Sequence, residues 1–169
     1  MAVNKNIFLI GFMGCGKSTI ARLFAEQTGA KLIEMDETIE AEAGMSINQI
    51  FEQYGETHFR DLESQLLSRI AEEGGAVVSC GGGAILREEN VAAMRKNGTI
   101  VYLSATPETI YQRVRNSTNR PLLNGNMNVE YITSLMQQRL PRYMAAADIT
   151  IVVDEKEKQD IVKEIVALI

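Results

Sequence analysis

A glycine-rich octet, GFMGCGKS, occupies residues 11–18 and directly follows an apolar run at residues 7–10. Two glycines separated by four residues, then lysine and a hydroxyl residue, form the pattern of a loop that binds phosphate. The glycines let main-chain N–H groups curl around phosphate oxygens. Lys17 adds a mobile positive charge, and Ser18 offers a hydroxyl to Mg²⁺. The octet therefore predicts a strand, a phosphate loop and a helix that together bind a nucleoside triphosphate.

Short runs rich in Val, Ile and Leu alternate with longer helical patterns along the rest of the chain. They lack polar alternation, which suits strands covered on both faces. Five such runs predict strands, at residues 7–10, 31–35, 76–80, 99–103 and 149–153. The alternation predicts an α/β fold with a five-stranded parallel sheet and right-handed crossovers. With 169 residues and no repeat or linker, we expect one domain over residues 1–169.

Capping residues and helix breakers mark where the helices begin and end. Ser46 opens a capping box, and Gly55 is expected to close the short helix that follows. Thr106 before proline, and Asn128, are expected to cap two further helices. Pro141 is expected to kink or interrupt the second of these helices.

Composition excludes several classes of protein. A formal net charge of -5 argues against a general nucleic-acid-binding surface. No apolar run is long enough to span a bilayer, and the N-terminus lacks a signal-peptide pattern. The two cysteines, Cys15 and Cys80, form neither a disulfide framework nor a metal cluster. We therefore expect a cytoplasmic protein with no nucleic-acid or membrane partner. No coiled-coil heptad or long apolar stripe indicates an assembly, so we expect a monomer.

One polar, turn-rich stretch, residues 115–127, has little periodicity. A loop this long inside a compact domain is usually functional or disordered. Its two arginines favour a mobile lid that closes over phosphates, with an ordinary surface loop as the alternative.

Acidic residues follow the second predicted strand, at Glu34 and Asp36. Ligands of open α/β sheets gather beyond the carboxyl ends of the strands. Asp36 could therefore orient or deprotonate an acceptor hydroxyl, and Glu34 could support magnesium through water. The equal alternative is that Asp36 only caps the helix that follows.

Arg60 and Glu63 are three residues apart on one face of a predicted helix. By default such a pair is a surface ion pair that adds little stability. The functional alternative is an arginine aimed at a substrate carboxylate and held by Glu63. Three consecutive glycines, at residues 81–83, favour close approach of a ligand to the main chain over a simple tight turn.

Arginines are concentrated near the predicted lid, although the chain is acidic overall. They are Arg113, Arg115, Arg120, Arg139 and Arg142. Arg120 is a candidate phosphate contact, and either Arg139 or Arg142 could bind substrate. The single histidine, His58, has no partner residues for catalysis, so we expect it at the surface.

These elements together resemble the shikimate kinases, small P-loop kinases of aromatic amino acid biosynthesis, over nearly the whole chain. The motifs that carry the resemblance are residues 11–18, Asp36, residues 50–56, 59–63, 81–84, 120–123 and 139–143. The resemblance implies a three-layer α/β/α P-loop fold. It also implies transfer of the γ-phosphoryl group of ATP to the 3-hydroxyl of shikimate, with Mg²⁺.

The resemblance also implies roles for individual residues. Residues 36–73 would hold the substrate-binding helices, and residues 115–127 the lid. Those implied to act in catalysis are Lys17, Asp36 and Arg120. Those implied to bind shikimate are Asp36, Arg60, Glu63, Gly81, Gly82, Gly83 and Arg139. Those implied to bind ATP are Gly14, Cys15, Gly16, Lys17, Ser18, Thr19, Arg113 and Arg120, with Ser18 as the magnesium ligand.

The chain departs from the family pattern at two positions. Glu34 stands where the family usually has aspartate, and Arg142 stands where it usually has leucine. Other interpretations stay open: a kinase of gluconate or of nucleoside monophosphates, or a non-catalytic nucleotide-binding module. Such a module would have little use for Asp36, Arg60, Gly82 and Arg139 together.

Overall fold

Five parallel strands form one sheet in the order β2-β3-β1-β4-β5. The computed structural model describes residues 3–116, 123, 125 and 127–169. The strands are β1 (Asn6–Ile10), β2 (Lys31–Glu34), β3 (Ala76–Ser79), β4 (Gly98–Ser104) and β5 (Ile149–Val152). All five predicted strands are confirmed to within one or two residues at each end. The central strand, β1, pairs with β3 on one side and with β4 on the other. The chain therefore adds β2 and β3 on one side of β1 and β4 and β5 on the other.

Helices cover both faces of the sheet. They are α1 (Lys17–Thr28), α2 (Met35–Ala43), α3 (Ile47–Ala71), α4 (Glu88–Lys96), α5 (Pro107–Val114), α6 (Val129–Ala146) and α7 (Lys158–Leu168). A short 3₁₀ turn, Ala84–Leu86, follows β3. No helix within the described ranges is both long enough and apolar enough to cross a membrane.

The core consists of two apolar clusters, one on each face of the sheet. Successive side chains of a strand point to opposite faces. Ile7 and Leu9 therefore belong to the cluster with α1, α5 and α7, whereas Phe8 and Ile10 belong to the cluster with α2, α3 and α4. Because both faces are covered, the strands are apolar on both sides. The predicted three-layer α/β/α architecture is confirmed.

The predicted helix caps are confirmed at three positions. Ser46 and Gln49 form the complete capping box of α3. Thr106 accepts a hydrogen bond from the Thr109 N–H at the start of α5, and Asn128 caps α6 in the same way.

The two predicted breaks had different outcomes. Gly55 is non-helical (φ 86°, ψ 171°) and kinks α3, as expected. The expected interruption at Pro141 is wrong, because α6 continues through this residue to Ala146. Proline lacks a single N–H donor, and the remaining bonds on both sides hold the helix together. The predicted lid at residues 115–127, including Arg120, falls mostly outside the described residues.

Candidate active site

The phosphate loop joins β1 to α1 in a conformation that depends on glycine. Gly11, Gly14 and Gly16 all have positive φ values, and Gly16 stands at the N-cap of α1. A side-chain carbon at Gly11 would lie 2.6 Å from the carbonyl oxygen of Leu103. One at Gly14 would lie 2.6 Å from Val114 Cγ1. At these two positions the loop packs too closely against β4 and α5 for a side chain, and its main chain leads into the N-terminus of α1.

Lys17 folds back over this loop. Its Nζ donates to the carbonyl oxygens of Gly11 (2.7 Å) and Phe12 (3.2 Å), which places a buried positive charge within the loop. The Cys15 side chain instead lies in the core, and the main-chain N–H of Cys15 donates to the carbonyl oxygen of Phe12 at 3.1 Å. Cys15 is thus part of the loop's internal framework, whereas its neighbours face the cavity.

A cavity of about 440 Å³ opens between the phosphate loop and the carboxyl ends of β2 and β3. This is the expected location of a ligand in an open α/β sheet. The predicted site residues that line it are Gly14, Gly16, Lys17, Ser18, Thr19, Asp36, Gly81, Gly82 and Arg113. The structure therefore brings most of the predicted nucleotide residues to one cavity with three of the predicted acceptor residues. The predicted residues among the described ones that do not line it are Cys15, Arg60, Glu63, Gly83 and Arg139.

The oxygen atoms around Ser18 fit a magnesium ion. Ser18 Oγ lies 3.3 Å from Ser79 Oγ, and the Glu34 carboxylate interacts with the Ser18 hydroxyl. Burial raises the pKa of Glu34, and the neighbouring Glu37 carboxylate raises it further. Mg²⁺ prefers oxygen ligands and usually keeps several waters. The described residues hold no cluster of three or more His, Cys, Asp or Glu side chains, so its other ligands would be phosphate oxygens and water.

Asp36 lies in the first turn of α2, whose N-cap is Glu34. The alternative that Asp36 caps this helix is therefore wrong. The chain turns into α2 at Met35, so Glu34 and Asp36 do not share an extended segment. Asp36 Oδ1 would lie 3.3 Å from a side-chain carbon at Gly81, which places the carboxylate against the glycine segment.

Arg60 and Glu63 form a buried ion pair rather than the default surface pair. Arg60 Nη1 donates to Glu63 Oε1 at 2.7 Å, and Arg60 Nε donates to Glu56 at 3.3 Å. Glu63 is fully buried, and its Oε2 would collide with a side chain at Gly81. Burial raises the pKa of Glu63, and the Arg60 guanidinium partly offsets that rise. A buried pair of this kind fixes the direction of both side chains.

The glycine segment, residues 81–83, contacts both candidate substrate arginines. A side-chain carbon at Gly83 would lie 2.5 Å from Arg60 Cζ. One at Gly82 would lie 3.4 Å from Arg139 Nη1 and 3.2 Å from the Met13 main-chain nitrogen. A side chain at Gly83 would collide with Arg60, and one at Gly82 would be in tight contact with the phosphate loop and Arg139. The segment thus brings two guanidinium groups and the phosphate loop together.

Of the two arginines near the end of α6, Arg139 faces the site. Arg139 is 4% exposed, its guanidinium lies 5.7 Å from the Phe12 ring, and its Nη1 is buried without a hydrogen-bond partner among the described residues. Arg142 is exposed and donates to the carbonyl oxygen of Leu86 at 2.7 Å. The structure thus separates two residues that the local pattern left equivalent.

Arg113, Arg115 and His58 lie at the surface. Arg113 lines the cavity and donates to Gly14 O at 3.3 Å. Arg115 is exposed. His58 is also exposed, as predicted, and its ring lies against that of Tyr54 with centroids 4.8 Å apart and planes tilted by 36°.

Sequence reasoning missed two residues at the site. Lys158, the first residue of α7, lines the cavity. Its position shortly after the last strand could have indicated this. Tyr143 is buried, and its hydroxyl donates to the carbonyl oxygen of Gly82 at 2.5 Å. No local pattern predicts that contact, because 61 residues separate the two partners.

Comparisons with known proteins agree with this geometry. The shikimate kinase family model matches residues 13–169. A shikimate kinase of Dehalococcoides mccartyi is 41% identical over 165 residues, covering 98% of this chain and 93% of that protein.

Two solved structures are also similar. The shikimate kinase of Acinetobacter baumannii in complex with shikimate superposes with a TM-score of 0.93 and is 34% identical, covering 97% of this chain and 92% of that one. The shikimate kinase of Aquifex aeolicus has a TM-score of 0.83 and 36% identity, covering 96% and 94%. Agreement in sequence and fold over nearly the full length shows that the chain belongs to the shikimate kinase family, whose members are ATP-dependent kinases that use Mg²⁺ and phosphorylate a hydroxyl group of shikimate.

Proposed function

We propose that this chain transfers the γ-phosphoryl group of ATP to the 3-hydroxyl of shikimate in the cavity between the phosphate loop and the glycine segment. The observation that carries this assignment is Arg139 Nη1, a buried cationic donor with no hydrogen-bond partner among the described residues. Leaving such a donor unsatisfied is costly. A substrate carboxylate supplies the missing acceptor, and arginine is suited to carboxylates by its planar, two-pronged geometry.

The donor side of the site comprises the phosphate loop and its neighbours. The residues assigned to the ATP phosphates are Gly14, Cys15, Gly16, Lys17, Ser18 and Thr19. Arg113 is assigned to the neighbourhood of the adenine base, and Arg120 of the lid to the phosphates. Ser18 would hold magnesium, which when bound neutralises charge on the phosphate oxygens. Cys15 can contribute only through its main chain, since its side chain is in the core. Lys17 adds a fixed positive charge beside the transferred group.

The acceptor side comprises Asp36, Arg60, Arg139 and the glycine segment. Phosphoryl transfer depends mainly on positioning and charge stabilisation, because the protein does little covalent chemistry. Arg60 and Arg139 hold the substrate carboxylate, and Glu63 holds Arg60 in place. Asp36 then orients the acceptor hydroxyl and accepts its proton.

We also propose that the chain is one kinase domain that acts as a cytoplasmic monomer, with no nucleic-acid or membrane partner. The net charge of -5 supports this, as do the two buried free thiols, which suit a reducing compartment. Light scattering of the purified protein should give the mass of one chain, and a dimer mass would overturn the monomer proposal.

The arginine assignment is tested by two matched variants, Arg139→Met and Arg142→Met. In a coupled ADP-release assay, wild-type protein should turn over shikimate and not gluconate. Arg139→Met should raise the KM for shikimate by at least about 30-fold, because it removes a charge-assisted hydrogen bond to the carboxylate. Arg142→Met is the control and should keep the wild-type KM. Equal effects of the two substitutions would contradict the assignment of Arg139.

A further inference from the structure

Tyr143 makes a contact that the proposed chemistry does not yet use. It lies in the last turns of α6 and is 2% exposed. Its hydroxyl donates to the carbonyl oxygen of Gly82 at 2.5 Å, and its ring stacks on Tyr102 with centroids 5.0 Å apart and planes 13° apart. Burial raises the pKa of Tyr143, and the Arg139 guanidinium, which interacts with the same hydroxyl, partly offsets that rise. The hydroxyl keeps its proton and stays a donor at neutral pH.

Gly82 faces the reaction site through its α-carbon. A side-chain carbon there would lie 3.2 Å from the main-chain nitrogen of Met13, 3.5 Å from the carbonyl oxygen of Gly11 and 3.4 Å from Arg139 Nη1. Gly82 is therefore enclosed by the phosphate loop and by a substrate arginine, and its carbonyl group is bound by Tyr143.

Arg139 and Tyr143 reach Gly82 from the same face of α6. Residues four apart on a helix are neighbours on its surface. The helix thus places a candidate carboxylate-binding group and a hydrogen-bond donor against one glycine. A shift of the glycine segment relative to α6 would therefore change both the Tyr143–Gly82 hydrogen bond and the distance between Gly82 and Arg139.

Consecutive glycines need an external restraint to keep one conformation. Without side chains they have wide backbone freedom, and ordering them costs more entropy than ordering other residues. The C=O of Gly82 and the N–H of Gly83 share one planar peptide group. A hydrogen bond that holds the carbonyl therefore also fixes the direction of the neighbouring N–H.

We propose that Tyr143 is a positioning residue for the acceptor substrate, which acts by holding the Gly82–Gly83 peptide in the orientation that shikimate requires. It touches neither substrate itself. The proposal rests on the assignment of the glycine segment to the shikimate site. It concerns shikimate affinity rather than nucleotide affinity, because the bond is made to the glycine segment and not to the phosphate loop.

The test compares Tyr143→Phe with Tyr102→Phe. Each substitution removes one hydroxyl and keeps the ring stack, and the Tyr102 hydroxyl interacts with Ser104. Calorimetry with shikimate and with ADP gives the two affinities separately. Tyr143→Phe should weaken shikimate binding by about 3- to 10-fold, the effect of one neutral hydrogen bond, and leave ADP binding unchanged. Tyr102→Phe should leave both affinities unchanged.

Amide hydrogen exchange gives a second readout that does not depend on activity. Exchange in the segment of residues 81–84 should be faster in Tyr143→Phe than in wild-type protein and unchanged in Tyr102→Phe. Unchanged shikimate affinity in Tyr143→Phe, equal losses for both ligands, or the same loss in Tyr102→Phe would overturn the proposal. Absence of shikimate binding by the wild-type protein would overturn the substrate assignment itself, whereas wild-type binding with no loss in Tyr143→Phe would overturn this inference alone. Because the Tyr143 hydroxyl also interacts with Arg139, the exchange rate of residues 81–84 shows whether the effect passes through the glycine segment.

Discussion

At the scale of single residues, the acceptor side of the site is a group of buried charges. Burying a charge is unfavourable unless it is paired or hydrogen-bonded. Arg60 Nη1 donates to Glu63 Oε1 at 2.7 Å, and both side chains are almost completely buried, although Glu63 Oε2 has no hydrogen-bond partner among the described residues. Arg139 is buried to the same degree, but one of its donor atoms is unsatisfied. Arg60 is therefore held in one direction by its ion pairs, and under the proposed function the substrate carboxylate would complete the pairing of Arg139.

Asp36 provides a prediction that separates the two halves of the site. Asp36→Asn removes the negative charge and the proton acceptor but keeps nearly the same shape. It should lower kcat by about 100-fold or more, as expected for loss of general base catalysis, and should change the KM for ATP by less than about 2-fold. Steady-state kinetics with each substrate varied will measure both values. If only the KM for ATP changed, Asp36 would belong to the nucleotide site.

At the scale of elements, α3 owes its shape to Gly55. The residue has φ 86° and ψ 171°, a combination that only glycine adopts readily. The kink divides α3 into a first part that begins with the capping box and a second part that carries Arg60 and Glu63. A straight helix would place Arg60 and Glu63 elsewhere, so the backbone conformation of Gly55 determines where the buried ion pair lies.

Two glycine substitutions test this point. A side-chain carbon at Gly55 meets no atom within 4 Å, so Gly55→Ala would cost backbone strain alone. We expect it to lower the free energy of unfolding by about 1–3 kcal/mol in urea titrations. Gly44, the C-cap of α2, has φ 69° and ψ 22°, which asparagine tolerates. Gly44→Asn is the control and should change stability by less than about 0.5 kcal/mol. A smaller loss for Gly55→Ala than for the control would contradict the role of the kink.

At the scale of the whole molecule, contacts between distant loops hold the cavity together. Asp154, after β5, accepts hydrogen bonds from Thr106 N at 3.1 Å and from Thr109 Oγ1 at 2.6 Å. These bonds tie the loop before α7 to the start of α5. The same two helices carry Lys158 and Arg113, which line the cavity. Asp154 therefore joins two elements of the nucleotide side across the carboxyl end of the sheet.

This network predicts a pH dependence of stability. Burial alone would raise the pKa of Asp154, but hydrogen bonds from Thr109 and Thr106 outweigh it and lower the pKa from its ordinary value of 3.8. A lowered folded-state pKa stabilises the fold above the unfolded-state value, and this stabilisation is lost as pH falls through the folded-state value. The melting temperature of Asp154→Asn should therefore be lower than that of wild-type protein at about pH 7, and the difference between the two should become smaller toward about pH 3. Thermal melts of both proteins across this pH range measure that difference. A difference in melting temperature that is the same at every pH would contradict the prediction.

Much of the fold and of the nucleotide side could be predicted from local patterns. The octet at residues 11–18 and the apolar runs predicted the loop and the strands, because backbone preference and burial act over a few neighbouring residues. The capping residues Ser46, Thr106 and Asn128 marked helix starts for the same reason. Of the two outcomes expected at Pro141, a kink or an interruption, the interruption was wrong, since a local preference yields to the rest of a packed helix.

The sequence by itself determined that this chain binds a nucleoside triphosphate and forms a parallel α/β sheet, because both depend on residues adjacent in the chain. Only the tertiary structure decided which charged residues are buried. The local pattern left Arg60 and Glu63 open to interpretation as a surface pair and did not separate Arg139 from Arg142, although the family resemblance implied a role for Arg60 and Arg139. Arg60, Glu63 and Arg139 are buried where they pack against residues 81–83, whereas Arg142 is exposed. Burial arises from contacts between residues far apart in the chain, and no local pattern encodes it.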